Sequence, residues 1–237
     1  MKKNILYTML LAFVAIAMTG CGDKDSEGLS QIIEYPRITL KGDAFHVSTI
    51  GQPYVEPGYT ATYNGQDYTS NVQVTQAIDI NTAGLYTVVY TATSPDGYTW
   101  SENRTVAVCD PEVTTDLSGS WTVDGANSWR NYKEGGEVAH GGAYAVRITR
   151  LAPGIFRLSD MFGGWYDQRA GYGTRYACVG TVQLTADNEI IGLSSSVAGW
   201  GDSLDDFYDG VYDPETGTIT WSCDYAGSMT FHVIIKK

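Results

Sequence analysis

The side chains of this chain that could do chemistry are paired carboxylates, histidines near serines, clustered acids, and aromatic rings set in loops. Glycoside hydrolysis needs two carboxyl groups at a set separation, and 27 acids offer many pairs without marking any one of them. Nucleophilic catalysis finds less support. Gly192-Leu193-Ser194-Ser195-Ser196 lacks the second glycine of a nucleophile elbow, and His46, His140 and His232 are isolated in the sequence. His232 alternates with Phe231 and Val233 and is expected on the solvent side of a strand. Gly135-Gly136-Glu137-Val138-Ala139-His140-Gly141-Gly142 has no Lys-Ser/Thr to make a phosphate loop and reads as a hairpin tip or a loop packed on backbone. Asp202, Asp205, Asp206 and Asp209 are oxygen donors that could ligate Ca²⁺, but they lack EF-hand spacing and a solvated acidic loop is preferred. No catalytic residue, metal or cofactor is expected.

Aromatic residues in loops are more informative. Trp129 lies in Asn127-Ser128-Trp129-Arg130-Asn131-Tyr132, and Trp165 and Tyr166 in Gly163-Gly164-Trp165-Tyr166-Asp167-Gln168-Arg169. Tyr172 sits between Gly171 and Gly173, and Trp200 in Ala198-Gly199-Trp200-Gly201-Asp202. A pyranose offers a flat C–H face edged by hydroxyls. An exposed ring covers that face while neighbouring Asp, Asn, Gln or Arg bind the hydroxyls. Flanking glycines let the backbone approach closely. The candidate ligand-binding set is therefore Trp129, Trp165, Tyr166, Asp167, Tyr172, Trp200 and Asp202. The competing reading, given more weight for the three indoles, is packing against the protein's own loops. Trp121 and Trp221 occupy strand positions and are expected in the core.

With 15 Lys and Arg against 27 Asp and Glu, the net charge of −12 repels nucleic acid, and no nucleic-acid partner is expected. Lys2 and Lys3 precede an uncharged apolar stretch from Ile5 to Ala17. That stretch is too short to cross roughly 30 Å of hydrocarbon as a stable helix and has the layout of a secretory signal. It ends in Met18-Thr19-Gly20-Cys21, which resembles the lipobox of bacterial lipoproteins. The resemblance implies cleavage before Cys21 and acylation of its sulfur and new amino group. A plain cleaved signal with an incidental cysteine is the alternative. Several acyl chains at ~0.8 kcal/mol per buried methylene make a stable anchor. Gly22-Asp23-Lys24-Asp25-Ser26-Glu27-Gly28 reads as a flexible tether, and its acidity resembles the export signal of Bacteroidetes surface lipoproteins. That implies a lipid anchor on the outer face of the outer membrane, with the periplasmic face as the alternative. Cys109, Cys178 and Cys223 then remain, an odd number, so buried free thiols are preferred over a Cys178–Cys223 bridge.

No convincing amphipathic helix follows. Alternating runs broken by Gly, Pro, Asn and Asp indicate an all-β chain. Nine glycines and one tryptophan precede Asp110-Pro111-Glu112, and eighteen and five follow, which marks a boundary there. The expected layout is a signal peptide over 1–20, a lipidated cysteine and tether over 21–35, a β-sandwich over 36–112 and an antiparallel β domain over 113–237. Strands expected in the sandwich are 37–40, 44–48, 59–63, 72–76, 84–93 and 98–108. In the second domain they are 119–124, 143–150, 155–160, 174–184, 189–195, 207–213, 218–225 and 229–236. Eight antiparallel strands with short connections favour a barrel or a strongly curved sandwich.

Gly51-Gln52-Pro53-Tyr54-Val55-Glu56-Pro57-Gly58-Tyr59-Thr60-Ala61 resembles the G-x-x-Y-x-x-P-G-x-x-A opening of bacterial immunoglobulin-like domains. Gly84-Leu85-Tyr86-Thr87-Val88-Val89-Tyr90-Thr91-Ala92 is similar to their G-x-Y-x-V-x-Y-x-A strand, and Arg104-Thr105-Val106-Ala107-Val108 to their closing strand. Ser94-Pro95 departs from that family, which often carries Asp before the hairpin glycine. The resemblance implies a spacer and no binding residues. Gly119-Ser120-Trp121 resembles the start of lipocalins. The module order, with Leu158-Ser159-Asp160-Met161-Phe162-Gly163-Gly164-Trp165-Tyr166 inside the second, is similar to Bacteroidetes lipoproteins of unknown function.

Together these readings describe a surface-anchored, non-enzymatic lipoprotein whose C-terminal domain binds an extracellular polysaccharide. The alternatives are a structural or protein-interaction subunit of an envelope complex, a lipocalin-like binder of a small apolar ligand and, last, an enzyme.

Overall fold

A computed structural model describes residues 33–133 and 135–237. The expected signal segment, the Cys21 lipidation site and most of the tether lie outside the described residues. Among the described residues no helix is long and apolar enough to cross a membrane.

The first module builds β1 (Arg37–Leu40), β2 (Phe45–Thr49), β3 (Tyr59–Tyr63), β4 (Gln66–Asp67), β5 (Val72–Gln76), β6 (Gly84–Thr93) and β7 (Thr99–Cys109). They form two sheets, β1-β3-β4 and β2-β7-β6-β5, with β2 parallel to β7. Period-two alternation sends Val88, Tyr90 and Ala92 of β6 into the core with Val106 and Val108 of β7, against Ile38 and Ala61 of the other sheet. The β6–β7 turn closes through Ser94 and Tyr98, with Gly97 at φ 88°.

Arg104 shares the apolar face of β7 and is fully buried. Its guanidinium donates to the Tyr90 hydroxyl at 3.2 Å, to the carbonyls of Asp43, Lys41 and Gly58, and to Glu56 Oε1 at 3.3 Å. Glu56 also accepts from the Tyr54 and Tyr90 hydroxyls and from the Gly58 N–H. Burial works to raise the Glu56 pKa, but those donors and the Arg104 charge overcome it and hold the carboxyl below the usual range. The Tyr-Val-Glu-Pro-Gly segment thus locks a strand turn onto a buried cation, which is a structural role.

The second module adds β8 (Gly119–Val123), β9 (Trp129–Tyr132), β10 (Glu137–Ala139), β11 (Ala145–Ala152), β12 (Ile155–Leu158), β13 (Val179–Leu184), β14 (Ile190–Ser196), β15 (Asp206–Asp213), β16 (Thr218–Tyr225) and β17 (Met229–Lys236). One antiparallel sheet curls in the order β14-β13-β12-β11-β8-β17-β16-β15. β17 meets β8 through Ile235 and Lys236, and its first half instead carries the β9–β10 hairpin. The ends of the curl meet at the bridges Glu189–Val211 and Val197–Asp202. Gly210 permits the approach, since a Cβ there would lie 2.1 Å from the Ile190 carbonyl oxygen.

Two expectations are corrected. Residues 174–176 form a 3₁₀ turn, and β13 starts at Val179, because the Cys178 N–H is taken by the Asp160 side chain. Trp129–Tyr132, expected as loop, is strand β9, and β10 occupies Glu137–Ala139 within the stretch read as a hairpin tip or a loop. Trp121, Trp221, Phe156, Phe162, Phe231 and Met161 are buried together inside the curl. That filled interior removes the wide apolar cavity on which the lipocalin-like reading depends. Cys109, Cys178 and Cys223 are buried free thiols, so the alternative bridge is not formed. Ala107 and Cys109 pack with Ala152 and Ile155, and Pro36–Lys237 is one compact unit.

Candidate functional site

The segment between β12 and β13 returns over the end of the curl, and Asp160 organises it. Its Oδ1 accepts the N–H groups of Phe162 and Cys178, and its Oδ2 that of Gly164, each at 2.9 Å. Asp160 is 1% exposed. Burial pushes its carboxyl up to about 7, helped by the Asp167 charge and opposed by those backbone donors. Gly163 and Gly164 have φ of 63° and 78°. A Cβ on Gly164 would lie 2.5 Å from Tyr144 Cβ, so the loop passes only as glycine. The chain then makes one π-helical turn, Trp165–Arg169, and Met161 O accepts the Trp221 Nε1–H at 2.8 Å.

This packing separates the sequence-predicted rings. Trp165 is 3% exposed, with the Arg169 and Arg130 guanidinium carbons 4.0 and 4.5 Å from its ring centroid and His140 edge-on. It is a plug residue and leaves the surface set. Trp129 is half-buried on β9 and stacks on His232 at 5.4 Å, on the face opposite Arg130. It does not join the other rings.

Tyr166, Tyr172, Trp200 and Asp202 do come together. Tyr166 is buried at the centre, 4.8 Å from the Trp200 ring and 6.1 Å from that of Tyr172. Trp200 also meets Tyr176 at 4.8 Å and Tyr225 at 6.0 Å. Above this base Tyr172 stays 57% exposed and Trp200 43% exposed. Gly199 makes the arrangement possible, because a Cβ there would lie 2.5 Å from the Tyr176 ring. Gly171 and Gly173, at φ of 73° and 87°, carry Tyr172 outward. Asp202 accepts the Tyr225 hydroxyl proton at 2.9 Å from either oxygen, and burial with that carboxylate raises the Tyr225 pKa. Asp167 is half-buried: its Oδ1 is buried without a hydrogen-bond partner, its Oδ2 accepts from Gln168 Nε2 at 3.4 Å, and it is not brought to the rings. Tyr176 and Tyr225 were missed as site residues because both sit in stretches that read as strand.

The other candidate chemistries do not assemble. Asp202 pairs with Tyr225, Asp205 accepts from the Gly227 N–H, and Asp206 accepts from the Phe207 N–H. Among the described residues no group of three or more His, Cys, Asp or Glu could hold a metal ion. Ser222 Oγ lies 3.1 Å from His232 Nδ1, yet neither ion pair among the described residues places an acid on that imidazole. The pair sits on a strand face under Trp129.

Residues 38–108 match the Ig-like domain of bacterial surface proteins, and residues 110–237 match a family described as a "-like, C-terminal domain". The crystal structure of the lipoprotein BT2262 from Bacteroides thetaiotaomicron is 44% identical, over 85% of this chain and 100% of that one, with a TM-score of 0.49. The structure of CBM51-2 in complex with GlcNAc and INT domains from Clostridium perfringens ZmpB is 22% identical, over 52% of this chain and 31% of that one, at a TM-score of 0.30. The M60 catalytic domain with CBM51-1 and CBM51-2 from the same protein is 17% identical, over 86% and 21%, at 0.29. Similarity at the level of these two carries no argument. No curated protein matches the chain. Identity across the whole of BT2262, with the two domain matches in the same order as the two modules, places the chain in the family of that lipoprotein: an Ig-like domain followed by a BT2262-like C-terminal β domain.

Proposed function

We propose that the chain is a non-enzymatic, lipid-anchored protein of the outer-membrane surface whose C-terminal domain binds an extracellular glycan. The observation that carries the reading is the cluster around Trp200. An indole and a phenol stand in solvent on a base of three further rings, with the Asp202 carboxylate tied to the cluster through Tyr225. A supported indole keeps its orientation and loses little entropy on binding, which suits it to the flat face of a pyranose. The exposed Asp202, two residues on from Trp200, is an acceptor for sugar hydroxyls. The Ig-like module serves as a spacer. Membership in a lipoprotein family supports the anchor and the surface setting.

The test titrates the full chain, purified in detergent, with a panel of neutral and acidic polysaccharides while following tryptophan fluorescence. Binding by at least one, without release of shorter saccharides, supports the reading. Release of saccharides would make the protein an enzyme. Absence of any sugar affinity, with one stoichiometric protein partner recovered from membranes, would favour an envelope-complex subunit that uses the same rings as interface anchors.

A further inference from the structure

The outer face of β11–β14 carries arginine and hydroxyls with no acid among them. One register row runs Thr149, Arg157, Thr181, Ser194. In the neighbouring row Arg147 lies opposite Ser120, Ser159 Oγ accepts the Arg147 N–H, and Val179 lies opposite Ser196. Inward-facing Val146, Ile148, Phe156 and Leu158 are buried, which fixes these partners outward. Arg147 and Arg157 are exposed and enter neither ion pair found among the described residues. Two uncompensated cations on one face are unusual in a chain with 27 acids against 15 bases.

Arg157, Thr174, Thr181, Ser194, Ser195 and Ser196 line a groove of about 430 Å³ here. Its walls belong to the segments that build the aromatic cluster. Thr174 and Ala177 flank Tyr176, and Ala198 lies two residues before Trp200. The groove and the ring platform thus share two chain segments, 174–177 and 198–200.

The geometry points to an anion subsite: this groove takes the carboxylate or sulfate of an acidic glycan whose ring lies on Tyr172 and Trp200. The inference rests on the glycan reading above. A guanidinium binds either oxyanion through two parallel N–H donors, and hydroxyls on both sides can donate to the remaining oxygens. An otherwise acidic surface repels polyanions, so such a ligand is held only where local charge is reversed.

The test uses the full chain with polygalacturonate, its methyl ester and chondroitin sulfate, in wild type, Arg157→Gln, Arg157→Lys and Trp200→Ala. Amide NMR with sodium glucuronate, sodium sulfate and glucose probes the groove alone. The expected result is at least about tenfold tighter binding of an acidic polymer than of the ester. Arg157→Gln removes the difference, Arg157→Lys restores part of it, and Trp200→Ala weakens acid and ester alike. Amide shifts with glucuronate or with sulfate separate carboxylate from sulfate. Equal affinity for acid and ester, or a preference that survives Arg157→Gln, overturns the subsite. Shifts at Thr181 and Ser194 with glucuronate or sulfate but not glucose support it even where no polymer binds, and that outcome would sink the ring platform alone. No shift and no binding overturns both.

Discussion

Trp165 and Trp200 are both indoles beside glycines, and their surroundings give them opposite tasks. Trp165 is closed in by two guanidinium groups and His140, whereas Trp200 is 43% exposed. Trp165→Ala is expected to cost about 3–5 kcal/mol in urea unfolding, as for other buried aromatic truncations. Trp200→Ala should cost far less and act on binding. A pH dependence also belongs to this scale. Burial lowers the His140 pKa from 6.5, and Nε2 lies 2.9 Å from the Phe162 carbonyl, to which the neutral ring donates. The unfolded chain takes up the proton first, so the His140 contribution to stability is complete above 6.5 and declines as pH falls below it. Asp160, with its raised pKa, acts with the opposite sign as pH rises from 3.8 toward about 7. The difference between wild type and His140→Gln isolates the histidine: the stability advantage of wild type should shrink from pH 7.5 to 5.5. An advantage that grows toward acid would contradict the assignment.

At the scale of elements, the turn from Asp160 to Arg169 is the part of the fold that depends most on particular residues. Gly164→Ala meets both a left-handed φ and the Tyr144 side chain, and should destabilise by more than about 1 kcal/mol while broadening the near-UV dichroism of the plug rings. In the sandwich, Arg104→Ala leaves Glu56 and three carbonyls without their donor and should cost about 3–5 kcal/mol by urea titration. Where alternation was strong, as in β6, β16 and β17, the sequence located strands to within a residue or two, since one face of each is buried. β9 escaped because Trp129, Arg130, Asn131 and Tyr132 show no apolar alternation, and its partner on one side is a strand almost a hundred residues away. The candidate site was half legible. Glycines around Tyr172 and Trp200 marked rings carried outward, but the same pattern around Trp165 marks a tight turn driven inward by Asp160. Nothing local distinguishes the two, because the difference is made by Arg130, His140 and Tyr144 arriving from other strands.

For the whole molecule, a C-terminal domain whose curled sheet encloses a packed apolar core offers a ligand its surface. A glycan that binds the folded chain alone should raise its stability by about 2.7 kcal/mol at a hundredfold excess over Kd, visible as a shift in thermal midpoint. The most direct measurement is calorimetric titration of the full chain with the polysaccharide panel, comparing wild type, Trp200→Ala and Trp129→Ala. The account predicts measurable heat with at least one glycan, lost or weakened by about 2 kcal/mol in Trp200→Ala and kept in Trp129→Ala. Binding that is indifferent to Trp200, or no heat from any glycan, would contradict it.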